Sequence, residues 1–212
     1  MQPFSQTIFM LLLNRLQSKP SQQFTQAFVY FFTFLAAIQN VGADAAIGIL
    51  EAIQPGLFGN LMNGVILPNT QKAPVRSRRV IEVGLTKLLT NSDTIFTPSI
   101  VTFWPPIFLA LVDLFTLPQD ITYSGANADD LTALDPEDTG FQSSFSKLGA
   151  SERNTHDPVA DVKDEKLYAA QQLSKASQSR PGVIGPLIQQ AQASDQESKA
   201  IPEFAQYMAS NK

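Results

Sequence analysis

The sequence predicts an all-α protein built from antiparallel helix pairs. Three observations carry that expectation. Apolar residues recur at helical spacing in one segment after another. Proline and glycine cut these segments into lengths of about 12–18 residues, the rhythm of helix-pair folds. Strand alternation is scarce. Only the aromatic run Phe28–Leu35 offers a sheet alternative, and its length and flanking pattern favour a helix. The rhythm fits an α-solenoid of stacked helix pairs and a four-helix-type bundle equally well.

Each element follows from local chemistry. Residues 8–16 are apolar, with Asn14 and Arg15 on another side, and Pro20 stops them. Ser21 is placed to cap a helix over 22–38, which is apolar nearly all round and so belongs between two layers. Gly42 ends it, and Asp44 is placed to cap a helix over 45–53. Pro55-Gly56 is a turn, and residues 57–67 form a helix that ends near Pro68 or is kinked by it. Pro74 opens the next helix, where Val80, Ile81, Leu85, Leu88 and Leu89 recur on one face. Thr97-Pro98 opens another, which Pro105-Pro106 is expected to bend or interrupt. Residues 118–165 are rich in Gly, Asp, Asn, Ser and Pro and read as an insert pinned by a few apolar anchors, with Phe141 and Phe145 at i, i+4 spacing. Helical character returns over 166–177, 186–193 and 202–210. The expected organisation is therefore helical repeats over 1–117, a polar insert with short helical pieces over 118–165, and C-terminal helices with a tail over 166–212.

The composition is 44% hydrophobic and only 16% charged, below the usual share of about 25%, so the chain must bury much apolar surface. Its charge is uneven. Residues 1–90 hold seven basic and three acidic side chains, residues 91–160 two basic and ten acidic, and no Lys, Arg or His occurs from Leu88 to Ser146. This asymmetry predicts separate electrostatic faces, and a net charge of −4 argues against nucleic acid as a partner. Cysteine and Asn-x-Ser/Thr sequons are absent, which fits an intracellular chain. Pro20–Ala43 and Thr94–Val112 lack charge over a membrane-spanning length. The first is diluted by Gln and Asn to an apolar core of Phe28–Ile38, and the second is broken by Pro98, Pro105 and Pro106. Membrane insertion is therefore not expected, and the N-terminus lacks the pattern of a signal peptide. A polytopic membrane-associated protein and a free-standing structural bundle remain the competing classes.

Specific segments then narrow the choice. Ile53-Gln54-Pro55-Gly56-Leu57-Phe58-Gly59, Val83-Gly84-Leu85-Thr86-Lys87-Leu88-Leu89-Thr90, Leu114-Phe115-Thr116-Leu117-Pro118, Glu137-Asp138-Thr139-Gly140-Phe141-Gln142, Phe145-Ser146-Lys147-Leu148 and His156-Asp157-Pro158-Val159 follow one another in order. Together they resemble the C-terminal region of the exportin-2 (CAS/Cse1) family of nuclear export receptors, from about Phe28 onward. Pro105-Pro106 and the Gln/Ser-rich stretch from Gln171 follow the family pattern loosely. The resemblance implies a HEAT-repeat α-solenoid carrying an acidic loop insert. It also implies a protein-binding scaffold that returns importin-α from nucleus to cytoplasm with Ran-GTP, shuttling through the nuclear pore. The family's N-terminal Ran-binding repeats have no counterpart in this stretch.

Candidate partner-binding residues fall into two groups. Arg76, Arg78 and Arg79 crowd the first turn of a helix, where positive charge opposes the helix dipole at about 0.3–1 kcal/mol each. Solvation is the simpler reading; a contact with an acidic surface, including the insert of this same chain, is the functional one. Asp129, Asp130, Asp135, Glu137 and Asp138 form the acidic insert, which either keeps that loop in water or steers a basic partner within about 8 Å at physiological salt. Neither a metal site nor a cofactor site is expected. His156 is the lone histidine, and the acidic run lacks the glycine and spacing of a calcium loop. Phosphate-binding and nucleophile motifs are also missing, so no catalysis is expected.

Overall fold

The computed structural model of the chain describes residues 2–38, 40–118, 157–195 and 199–210, and among these every regular element is helical. Helix α1 spans Gln2–Gln17, α2 Gln22–Ala37 and α3 Gly42–Ile53. Helix α4, Leu57–Leu61, runs through a π-helical stretch, Met62–Ile66, into α5, Leu67–Thr70. Helix α6 covers Val75–Asn91 and α7 Trp104–Thr116, with short 3₁₀ turns at Thr94–Phe96 and Val101–Phe103 between them. Helices α8 (Glu165–Ser179), α9 (Ile184–Ser194) and α10 (Ala200–Ser210) complete the described chain.

The caps explain most boundaries. Ser21 Oγ accepts the Phe24 amide at 3.2 Å, as its position predicts. Gly56 takes φ +79°, and the Glu51 carboxylate accepts the amides of Gly56 (2.8 Å) and Phe58 (3.0 Å), closing the Pro55-Gly56 turn. Asp164 caps α8 through the Leu167 amide at 2.8 Å. Asp44 departs from expectation. Helix α3 already starts at Gly42, and the Asp44 carboxylate instead accepts from Ser92 Oγ (2.6 Å) and the Thr94 amide (2.9 Å). A first-turn carboxylate is satisfied as well by a neighbouring element as by its own helix, and local sequence does not distinguish the two.

Two proline sites also refine the reading. The helix ends at Thr70, two residues past Pro68, as expected, and a π turn precedes the proline. The Leu67 amide bonds the Met62 carbonyl five residues back, so the π stretch meets the last helical turn one residue before the proline. Pro105-Pro106 do not interrupt α7; they stand in its first turn, where amides have no helical partner in any case.

Helix α6 is the hub. It packs against α2, α3, α7 and α8, while α1 lies on α2 and α3, and α9 and α10 lie on α7. Val80, Ile81, Val83, Leu85, Leu88 and Leu89 of α6 are all buried, so it is covered on several sides. The contact with α2 is the closest. A Cβ at Gly84 would lie 2.2 Å from the Thr33 carbonyl oxygen and 2.9 Å from Thr33 Cβ, so only glycine fits there. Helix α2 is sandwiched as expected. Phe28, Val29 and Phe32 face the main core, Phe31 meets the Phe9 ring at 5.6 Å, and the stacked Tyr30 and Phe34 cover a smaller cluster of Ala37, Val80, Val83, Val159 and Val162. On α7, Trp104 donates from its indole to the Leu89 carbonyl at 3.1 Å and stacks on Phe108 at 5.3 Å. The outer face of α1 stays apolar and open, with Phe4 71% and Leu11 65% exposed.

Among the described residues no single helix is long and apolar enough to cross a membrane. The helices Gly42–Ile53 and Leu57–Thr70 pass a length-and-composition test only together, and they are bent by 104°. Their residues Ile47, Leu50, Phe58, Met62 and Ile66 sit in the protein core.

Replacing Gly84 by alanine is expected to cost about 2–4 kcal/mol, because the added methyl meets backbone that cannot swing aside. Urea denaturation of the Gly84→Ala protein measures it. A loss below about 1 kcal/mol would show that α2 and α6 part freely.

Candidate functional site

The first turn of α6 and the chain over 157–166 beside it form a cluster of charge in the described fold. Arg78 donates from Nε to the Ala73 carbonyl at 3.0 Å and from a terminal nitrogen to the Pro118 carbonyl at 2.7 Å. Arg79 pairs with Asp157 at 3.0 Å and with Glu165 at 2.6 Å, and donates to the Val162 carbonyl. Its Nε lies close to Glu165 without pointing at it, so that contact is one of charge rather than a hydrogen bond. The side chain of Arg76, in the same turn, lies outside the described residues.

The structure therefore brings two of the three predicted arginines into contact with residues of the predicted insert, at Pro118 and over 157–165. The predicted acidic residues Asp129, Asp130, Asp135, Glu137 and Asp138 lie outside the described residues, as do Phe141, Phe145 and His156. The unfavourable placement of arginine at a helix N-terminus is offset by two carboxylates and two carbonyls brought in from elsewhere in the chain, and by the Ala73 carbonyl just before the helix.

One turn further along α6, Glu82 is buried at 8% exposure. Burial pushes its carboxyl up to about 7, nearby Glu165 pushes the same way, and Arg78 opposes both. Lys87 lies another turn on and donates to the Ala37 carbonyl at the end of α2. Burial lowers its pKa, against an upward pull from Asp161. At the far end of α6, Arg180 donates to the Thr90 carbonyl at 3.4 Å, pairs with Asp93 and lies 4.4 Å from the Phe96 ring centre. Burial at Asp44 favours the neutral carboxyl, but the donors Ser92, Thr94 and Asp93 outweigh it and hold the carboxyl below its usual range.

Glu82, Lys87, Asp157, Glu165 and Arg180 were not singled out from the sequence. Arg78 and Glu82 stand four apart on one helix, a spacing that pairs side chains and was readable. The contacts of Arg79 with Val162 and of Arg180 with Thr90 cross more than eighty residues and leave no local signature. Among the described residues no group of three or more His, Cys, Asp or Glu is arranged to hold a metal ion. The arrangement is one of charge pairs that join elements of the same chain.

The family described as "CAS/CSE protein, C-terminus" matches residues 1–204. Exportin-2 of Xenopus laevis is 34% identical over 189 residues, and exportin-2 of Homo sapiens 33% over 188; each match covers 87% of this chain and 19% of the relative. The chain thus spans about one fifth of the length of these relatives. A solved structure titled "The exportin Cse1 in its cargo-free, cytoplasmic state" superposes with a TM-score of 0.67 at 17% identity, over 96% of this chain and 20% of that one. That likeness resolves the choice between bundle and solenoid: the fold is a HEAT-repeat α-solenoid.

Glu82 makes stability depend on pH. With its carboxyl raised from 4.5 to about 7, the folded chain keeps a proton that the unfolded chain releases, so stability is full below 4.5 and falls as pH rises through 7. Glu82→Gln removes that titration. Its stability relative to the parent is expected to rise by about 2–3 kcal/mol between about pH 4.5 and pH 8. Denaturation at both pH values checks this, and a pH-independent difference would show that Glu82 titrates normally.

Proposed function

The chain belongs to the CAS/CSE family, whose C-terminal region it matches, and on that basis we propose that it forms the C-terminal part of a nuclear export receptor. In this reading it is a protein-binding scaffold without catalysis. It contributes to an arch that captures importin-α in the nucleus together with Ran-GTP and releases it in the cytoplasm, shuttling through the nuclear pore. The match over residues 1–204 is the observation that carries the proposal.

The geometry supports it in two ways. Stacked helix pairs form a surface that stores curvature, so a partner that prefers one curvature shifts the population toward it. The outer face of α1, with Phe4, Ile8 and Leu11 exposed, is the kind of surface a neighbouring helix pair covers in a longer stack. The acidic residues Asp129, Asp130, Asp135, Glu137 and Asp138, with Arg76, are the proposed partner-binding charges, while Arg78 and Arg79 of the same predicted group are engaged within the chain; opposite charge on a partner would speed encounter more than it would tighten binding.

The test is a chimera in which this chain replaces the matching C-terminal fifth of Xenopus laevis exportin-2. The folded chimera is expected to retain importin-α on a column in the presence of Ran-GTP and to release it with Ran-GDP. A folded chimera that captures no importin-α with either nucleotide would overturn the assignment.

A further inference from the structure

We propose that Arg78 and Arg79 act together as a latch that holds both roots of the 119–156 segment, Pro118 and Asp157, against the first turn of α6. The two residues are neighbours in sequence, and their side chains reach the two residues that flank 119–156. Arg78 takes the entry, donating to the Pro118 carbonyl at 2.7 Å while Ala73 fixes its Nε at 3.0 Å. Arg79 takes the exit through three partners within nine residues: the Asp157 carboxylate at 3.0 Å, the Val162 carbonyl and the Glu165 carboxylate at 2.6 Å.

The exit is prepared to receive this grip. Asp157 Oδ1 accepts the Val159 amide at 3.0 Å, which leaves its other oxygen to Arg79. Val159 and Val162 are buried beside Val80 and Val83 of α6. Apolar anchoring therefore flanks the ionic contact. Glu82 and Glu165 face the arginines from α6 and α8, and Lys87 and Asp161 lie farther along the same seam.

The charge pattern gives the device a purpose. Between the roots the chain carries seven acidic and two basic side chains. The sequence between the roots is therefore acidic in excess, two cations stand at its flanking residues, and that contact offsets what the arginines cost against the α6 dipole. The guanidinium fork suits this role because its planar, fixed nitrogens face a carbonyl and two carboxylates in set directions, whereas a lysine offers a single point charge. Asp157 and Arg79 are each about a third exposed (36% and 39%), so the ionic part of the latch is open to screening by salt while the Val162 hydrogen bond is not.

Hydrogen–deuterium exchange of the whole chain tests the latch. Arg79→Gln is expected to speed amide exchange over 157–165 by about tenfold or more while α2 and the C-terminal half of α6 keep their protection. Arg79→Lys, which restores charge without the fork, is expected to fall between the two. Asp157→Asn removes one partly exposed partner and is expected to give a smaller local rise, which salt near 1 M should imitate in the parent. Unchanged exchange over 157–165 in Arg79→Gln would overturn the proposal, and so would a rise spread evenly over the chain, the mark of a general packing role. If Arg79→Gln does not fold, Asp157→Asn decides alone: a local rise supports the latch, and its absence rejects it.

Discussion

The close crossing of α2 and α6 at Gly84 and Thr33 is the constraint on which the rest of the structure depends. At this point the two helices touch backbone to backbone, with the Thr33 carbonyl where a side chain would stand. The Thr33 hydroxyl turns back onto its own helix, donating to the Val29 carbonyl at 2.8 Å, so it adds no bulk to the crossing. With that spacing set, Phe28 and Phe32 reach the main core from one side of α2, and Ala37 closes the satellite cluster near its end. Helix α6 then presents its other sides to α3, α7 and α8. Widening the crossing would shift every one of these contacts, because a packed interior has no slack to absorb the displacement.

A second pattern runs through the molecule. The chain is charge-poor, and many of its charges stand where helices end. Glu51 serves the start of α4, Asp164 the start of α8, Lys87 the end of α2 and Arg180 the end of α6. Each satisfies backbone groups that a terminus leaves without a helical partner. Lys87 and Arg180 also place positive charge at C-terminal carbonyls, the favourable sense of the helix dipole. A solenoid multiplies helix ends, so this use of charge follows from the architecture itself.

The sequence conveyed what is local and concealed what is distant. The helices, the Ser21 cap and the Pro55-Gly56 turn were readable because each is decided by a few consecutive residues. Pro105-Pro106 misled because proline is disruptive only inside a helix, and the 3₁₀ turn at Val101–Phe103 moves the helix start to Trp104. The π turn at Met62–Ile66 has no residue pattern of its own. Among the candidate residues, the arginine cluster drew notice because it breaks a dipole rule, and its violation had a long-range cause at Asp157 and Glu165. Those carboxylates looked ordinary, since nothing within a helical turn of them reveals a partner some eighty residues away.

The stacked pair Trp104 and Phe108 has one further consequence. Trp104 is the single tryptophan of the chain, fully buried and hydrogen-bonded to the Leu89 carbonyl. Phe108 continues toward Phe204 of α10 at 6.2 Å, and Phe204 toward Phe115 at 5.6 Å. The indole therefore sits at one end of a ring ladder that joins α6, α7 and α10. Tryptophan emission from this protein has one source, and its colour and polarisation report on that joint alone. The molecule carries its own optical gauge of whether the last helices remain seated on the hub.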